Sequence, residues 1–388
     1  MNTPPELARD MERNAAWLAL EDCALEPTPV ATWAFAGTAN EVLPEHRRPT
    51  LLFMEGSDGG LLGAFPLLFE HRRWRPLGRL ATSLWGDMDF LGVPLVHSDH
   101  AIDVLQDLFA MVRVSGIAAV EFRHLPADGP FLAVLRQALA RHGLRPVVMD
   151  RWRRAVLDAT RDPQAWWRED MSARHRGEWR RRKRRLAERG VLTFERLERT
   201  ADVMPWLEEF MALEAAGWKG EAGTALACQP HTRAFVRRAL PAFHARGALA
   251  FFRLRLDGRT IASTFGFIQR DMAWMVKIAF DERLRRFSPG GLLVIELSEA
   301  FMADPRIRLV DSCAVADHPL VSHVWRQRRE MVDVLAPLPH TGKTRFALIA
   351  AAERAFRQTR ARAVRVVEEL RKRRKRQKRQ AEKGAQAT

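Results

Sequence analysis

Tyrosine is missing from all 388 residues, although Phe occurs 21 times and Trp 12 times. No phenolic hydroxyl can serve as a catalytic acid or base, so proton transfer falls to a carboxylate, histidine, water or another group. Cysteine is nearly as scarce. Cys23, Cys228 and Cys313 are odd in number and far apart, which argues against a disulfide framework and fits a reducing compartment. Cys228 and His231 stand three apart, but no second pair completes a zinc site, so no metal is expected. No run of about 18 apolar residues occurs, which predicts no membrane span. Met1-Asn-Thr-Pro-Pro-Glu lacks the charged and apolar regions of a secretory signal, and the expected location is cytoplasmic.

Acidic charge is also in short supply, with 47 Asp and Glu against 63 Lys and Arg, a net +16. The excess is local. Residues 343–388 carry +12 and Thr160–Gly190 carries +6, leaving −2 for everything else. A nearly neutral body with two basic segments argues against a protein built throughout to bind nucleic acid. At this length, with 47% hydrophobic residues, two domains with proper cores are expected.

The first part reads as helical and irregular up to residue 48, then as a hairpin, Thr50–Met54 and Leu61–Phe69. Helices are predicted over Ala101–Val114 and Phe131–His142, and strands over Ala118–Phe122 and Leu144–Met149. A long helix, Ala165–Arg189, follows and contains the basic run of residues 174–185. That run is either a solvated face whose Arg stems cover apolar surface or a binding surface for an anionic partner, RNA or a membrane surface. Val191–Leu197 reads as a strand and Ala201–Ala215 as a helix. Further on, Arg306–Asp311 and Met331–Leu335 read as strands. The helix starting at Lys343 presents Phe346, Ile349, Ala352 and Phe356 for packing. Arg371–Arg379, eight basic residues in nine, reads as an exposed, disordered end.

The most informative stretch is Leu249–Ala303. Leu249–Leu256 and Thr260–Ile268 are joined by Asp257-Gly258, a dipeptide suited to a tight hairpin. Met272–Phe280 follows as a third strand, with Met272, Trp274, Val276, Ile278 and Phe280 expected on one face and Lys277 on the other. Then comes an arginine-rich loop with Arg283, Arg285 and Arg286, and a helix opened by Ser288-Pro-Gly-Gly291. Ser288 is expected as N-cap and Pro289 as first helical residue. Gly290 and Gly291 would let bare backbone N–H groups approach a phosphate, with the arginines supplying charge. An ordinary capped helix after a basic loop is the alternative.

Strand, arginine-containing loop with Gly, then helix resembles the acyl-CoA pyrophosphate loop of GNAT-type acyltransferases. Leu213–Leu226, Asp281–Leu293 and Asp311–Pro319 together resemble the branch of that superfamily associated with bacterial cellulose and exopolysaccharide synthesis proteins. That branch is related to the Fem-type peptidyltransferases, which use aminoacyl-tRNA. The resemblance implies an α/β fold with mixed sheets, built as tandem GNAT-like domains. Residues 1–155 would be a degenerate first copy, 156–342 the acyltransferase copy, and 343–388 a basic C-terminal helix and tail. It implies acetyl-CoA or another acyl-CoA as co-substrate and an amine or saccharide-type small-molecule acceptor. Aminoacyl transfer from tRNA, or a non-catalytic scaffold on anionic lipid or nucleic acid, stands as the alternative.

On the same resemblance the donor arm lies along Met272–Phe280, where Lys277 is a binding candidate. Glu214, Asp281 and Asp311, at the ends of predicted elements, are candidate proton acceptors, each equally readable as a capping or turn carboxylate. His318 titrates near neutrality and is a further acid/base candidate, although an Asp-His-Pro turn explains it too. Trp218 and Lys219 lie in a Gly-rich segment of substrate-facing character; the first can equally anchor a core and the second pair with a carboxylate. GNAT enzymes often use a Tyr hydroxyl as the acid toward the thiolate, a route closed to this chain. Residues 174–185 and 371–379 are the candidate contacts for an anionic partner, including the inner membrane surface.

Overall fold

A computed structural model describes residues 5–70, 77–83, 85, 86, 88–316, 318 and 320–385, with side chains described between residues 14 and 364 except Glu70. The strands, in chain order, are β1 (Thr50–Glu55), β2 (Leu61–Glu70), β3 (Arg79–Thr82), β4 (Leu95–Val96), β5 (Ile117–Pro126) and β6 (Val147–Asp158). They continue as β7 (Leu192–Arg196), β8 (Leu249–Leu256), β9 (Arg259–Gln269), β10 (Met272–Phe280), β11 (Leu309–Asp311) and β12 (Gln327–Pro337). The helices are α1 (Pro5–Cys23), α2 (Thr38–Val42), α3 (Ala101–Val114), α4 (Pro130–Ala140), α5 (Pro163–Glu169) and α6 (Ala173–Ala187). After them come α7 (Val203–Ala215), α8 (Trp218–Glu221), α9 (Pro230–Ala245), α10 (Pro289–Met302) and α11 (Lys343–Ala385). All strands join one mixed sheet in the order β1-β2-β3-β5-β12-β6-β11-β10-β9-β8-β7, with β4 beside β2.

Two similar series of elements share this sheet. Hairpin β1–β2, strand β3, helix α3 and strand β5 correspond to hairpin β8–β9, strand β10, helix α10 and strand β11. In each series the strand before the helix lies parallel to the strand after it, and the helix supplies the crossover that parallel pairing requires. The last strands are exchanged. β6 of the first series pairs with β11 of the second, β12 of the second pairs with β5 of the first, and β6 and β12 run side by side. The exchange explains why β6 extends to Asp158, well past the predicted Met149. Charged residues such as Arg151 and Arg153, beyond the predicted strand, pair across to Val332 and Glu330. The division expected at residue 155 falls within this strand.

Asp257 and Gly258 take φ of 47° and 75°, both positive as a two-residue primed turn demands, and close the β8–β9 hairpin. β10 has the predicted bounds but not the predicted faces. Its register with β9 shifts between Met275 and Lys277, so Val276 is the extra residue of a β-bulge. Beyond the bulge the alternation reverses. Met272, Trp274, Val276 and Ala279 belong to one core, while Ala273, Met275, Ile278 and Phe280 belong to the other. Lys277, next to Ile278 and Ala279, therefore falls on the Trp274 face, opposite to the expectation.

The larger core spans both series on one side of the sheet, where Phe35 meets Phe235 and Phe267 edge-on at ring separations of 4.9 and 5.7 Å. The second lies under α10 and includes Trp166, Phe252, Met275, Leu293 and Trp325. A small third core seats Phe346 and Ile349 of α11 against Leu80 and Leu335. Here the expected stripe is corrected. Phe356 is exposed, and Glu353 and Arg357 turn inward, because Arg357 meets the buried carboxylates of Glu121 and Asp333. α11 continues through residues 371–379 to Ala385.

The predicted single helix Ala165–Arg189 is two. Ser172 interrupts it, its hydroxyl accepting from the His175 N–H at 3.3 Å as N-cap of α6. No helix was expected over Pro230–Ala245, where α9 forms with Pro230 in its first turn.

Candidate functional site

Parallel strands that part at one end leave a cleft between them. In the first series the cleft between β3 and β5 is filled by the chain itself. The Ser83 hydroxyl accepts from the Arg123 N–H at 3.1 Å, and Gly92 packs so closely that a Cβ there would lie 2.2 Å from the Arg123 carbonyl oxygen. Only glycine fits that approach, which packs the chain against the strand end there.

In the second series β10 and β11 pair only from Met272↔Leu309 to Trp274↔Asp311 and then separate. The opening leads to a cavity of about 250 Å³ whose lining includes Lys219, Val276, Lys277, Cys313, His318 and Trp325. The bulge places Val276 at this wall without a residue opposite in β9, so β10 presents unladdered backbone there.

Lys219 is held at the cavity by two bonds. Its ammonium donates to Glu214 Oε1 at 2.8 Å and to the Ile278 carbonyl oxygen at 3.1 Å. Glu214 is 3% exposed and also accepts from the Leu226 N–H at 2.8 Å, so its carboxylate is fixed from both sides. The sharp return from α7 to α8 creates the pair. Gly220 sits there with room for no Cβ, since one would lie 1.8 Å from the Ala215 carbonyl oxygen. Burial, with the Lys219 charge second, lowers the His318 pKa, and the ring's Nδ1 accepts from the Leu320 N–H at 3.4 Å. The imidazole is thus neutral at pH 7 with its Nε2 end carrying the proton. Burial pushes the Cys313 thiol up, and the residue takes a left-handed φ of 52°. A thiol so disfavoured as thiolate is a poor nucleophile.

The other two carboxylates are occupied elsewhere. Asp311, 1% exposed, faces Arg154 at 3.4 Å in a buried pair and accepts from the Cys313 N–H at 2.8 Å. Asp281 accepts two bonds from the Arg283 guanidinium, at 2.9 and 2.8 Å, and one from Arg259 at 2.8 Å. Their arginine partners hold them away from the cavity lining. Arg283 is tied to that turn, while Arg285 and Arg286 are exposed.

The helix start differs from the expected cap. Ser288 occupies the N-cap position in a left-handed conformation, φ 53°, and makes no side-chain cap bond. The Leu292 N–H closes the first turn on the Ser288 carbonyl oxygen, so Gly290 and Gly291 carry the amides without a helical partner. Both glycines are tightly covered. A Cβ on Gly291 would lie 2.4 Å from the Trp179 ring, and one on Gly290 would lie 3.0 Å from the Phe280 ring. Trp218 is exposed, and its N–H donates to Glu282 at 2.8 Å.

The structure therefore gathers Lys219, Lys277 and His318, with Glu214 behind, and leaves Asp281 and Asp311 outside. Sequence reasoning missed Trp179 and Trp325. The first stood out as the one aromatic in the basic run; the second, donating to Ser298 Oγ at 2.8 Å, carried no local signal. Among the described residues no helix is long and apolar enough to cross a membrane, and no cluster of His, Cys, Asp or Glu is arranged to hold a metal ion.

Residues 173–318 match the family model of the acetyltransferase (GNAT) domain. No curated protein matches the chain by sequence. Among solved structures, FemX superposes with a TM-score of 0.56 at 11% identity, covering 87% of this chain and 98% of its own. A conserved protein of unknown function from Bacteroides thetaiotaomicron superposes with a TM-score of 0.51 at 11% identity, covering 83% and 97%. A tandem GNAT protein from the clavulanic acid biosynthesis pathway gives 0.44 at 16% identity, covering 87% and 97%. Residues 173–318 carry a GNAT acetyltransferase domain, within a mixed α/β fold built from two similar series of elements on one sheet.

Proposed function

We propose that this chain is an acyltransferase that takes an acyl group from acyl-CoA, acetyl-CoA first among them, and passes it directly to a small amine or hydroxyl acceptor. One observation carries the reading: β10 and β11 part at a bulge beside a cavity in which an ammonium and a neutral imidazole converge. Backbone exposed along β10 suits an extended pantetheine arm, which can add as a strand edge. As the acceptor nitrogen attacks the thioester carbonyl, a C–N bond forms, the C–S bond breaks and negative charge passes from carbonyl oxygen to sulfur. The Lys219 ammonium, held in place by Glu214, stabilises that charge and can return a proton to the thiolate, the task a tyrosine would otherwise perform. His318 takes the proton the acceptor loses at Nδ1, giving up its long 3.4 Å bond from the Leu320 N–H to do so. The Cys313 thiol stays protonated, which favours direct transfer over an acyl-enzyme. The motif resemblance to exopolysaccharide-associated proteins makes amino sugars the first acceptors to try.

A second reading, aminoacyl transfer from tRNA, draws on α6, which carries eight Lys and Arg against one Glu and buries only Leu186. Native mass spectrometry with acetyl-CoA, CoA and aminoacyl-tRNA in parallel separates the two. A stoichiometric acetyl-CoA complex supports the first; a tRNA complex without CoA binding replaces it with the second.

A further inference from the structure

Helix α6 lies along the 3₁₀ turn Glu282–Phe287, and a groove of about 480 Å³ opens between them. Arg181, Arg182, Arg185, Arg189 and Arg286 line it, with Glu178 and Glu188. These charges are not mutually cancelled. Arg181 and Arg182 both pair with Glu178, whereas Arg185, Arg189 and Arg286 have no carboxylate partner among the described residues. Two of the three converge on one ring: Arg189 stands 5.3 Å and Arg286 4.6 Å from the centre of Phe287, from different elements. Guanidiniums stack well on an aromatic face, and two exposed ones beside one ring concentrate positive charge that an anion between them would offset. Arginine's planar fork matches a phosphate, and a dianionic phosphomonoester suits an excess of positive charge confined to one spot. Glu178 and Glu188 in the lining oppose a continuous phosphodiester backbone while leaving room for one phosphate.

The groove lies one short step from the helix start. Phe287 precedes Ser288, and the partnerless amides belong to Gly290 and Gly291. Trp179 of α6 packs on Gly291, and Arg182 of the groove stands over the Trp179 ring at 5.1 Å, so the groove adjoins the helix start across that ring. We infer that this groove is a second phosphate subsite, built for the phosphomonoester that CoA carries on its ribose and that dephospho-CoA lacks. The inference rests on the acyl-CoA reading above and narrows it to a donor recognised at both ends.

Isothermal titration of CoA and dephospho-CoA against the wild-type protein and the exposed-site variant Arg185→Gln/Arg189→Gln tests it, with circular dichroism confirming each fold. Charge-assisted contacts of this kind predict that the wild type binds CoA about tenfold to a hundredfold tighter than dephospho-CoA. The variant should lose that difference by weakening CoA alone, leaving dephospho-CoA affinity unchanged. Equal affinity of the wild type for both ligands would overturn the subsite while leaving the donor reading intact. Binding of neither would overturn the donor reading and the subsite together. If the double variant weakens both ligands equally, or weakens poly(U) RNA while sparing CoA, the arginines serve general electrostatics or nucleic acid and the subsite is wrong.

Discussion

Lys219 Nζ lies 2.8 Å from Glu214 Oε1, and this pair, five residues apart across a helix break, holds an ammonium at the cavity wall. Because the carboxylate is buried and already holds the Leu226 amide, it fixes the ammonium without being available as a base. Lys219→Met should lower kcat about a hundredfold to a thousandfold, the range seen when one preorganised donor to a developing anion is lost. CoA affinity should change little, since the ammonium acts on charge that develops in the reaction. A Lys219→Met enzyme with wild-type kcat would remove this residue from the chemistry.

His318 makes the pH profile informative. Its lowered pKa means the neutral ring persists to lower pH than an ordinary histidine would allow, whose value is 6.5. If the neutral form accepts the proton, kcat/KM should hold through pH 6.5 and fall only at lower pH. His318→Gln should show a lower, flatter profile with no acid limb. An acid limb that survives in His318→Gln would assign it to another group.

Asp311 distinguishes architecture from catalysis. Removing one member of a buried ion pair leaves the other charge stranded, so Asp311→Ala should cost about 3–5 kcal/mol of stability through Arg154. Chemical denaturation measures this. Stability close to wild type with a collapsed kcat would return Asp311 to the list of bases.

Much of the fold is legible in local residue patterns. Asp257-Gly258, the bounds of β10 and α3, and the start of α10 after Ser288 follow from turn chemistry, periodicity and helix-start preferences that act within a few residues. Features that depend on distant partners are not. A period of two cannot reveal the extra residue at Val276, so the side of Lys277 came out reversed. The charged half of β6 is a strand only because the exchanged β12 pairs with it. Three of the four acid/base candidates are carboxylates: Glu214 is engaged by Lys219 and Asp281 by Arg283, both close in sequence, whereas Arg259 on Asp281 and Arg154 on Asp311 come from distant segments.

The glycines at the start of α10 show the same dependence on a distant residue, since Trp179 lies on Gly291. Gly291→Ala drives a methyl into the indole and should cost about 1–3 kcal/mol. In a Trp179→Ala background the same change should cost much less. Additive losses in this double-mutant cycle, read from melting curves, would show that the two residues do not press on each other.

The central claim is that the donor arm occupies the cleft between β10 and β11, and blocking that cleft tests it most directly. Ala314 lines the cavity and is only partly buried, so Ala314→Trp can fill the space with little disturbance to the core. Calorimetric titration with acetyl-CoA should give one site per wild-type chain and at least a tenfold weaker site in Ala314→Trp, with an unchanged melting temperature. Equal affinity in the two proteins, or no binding by the wild type, would contradict the account.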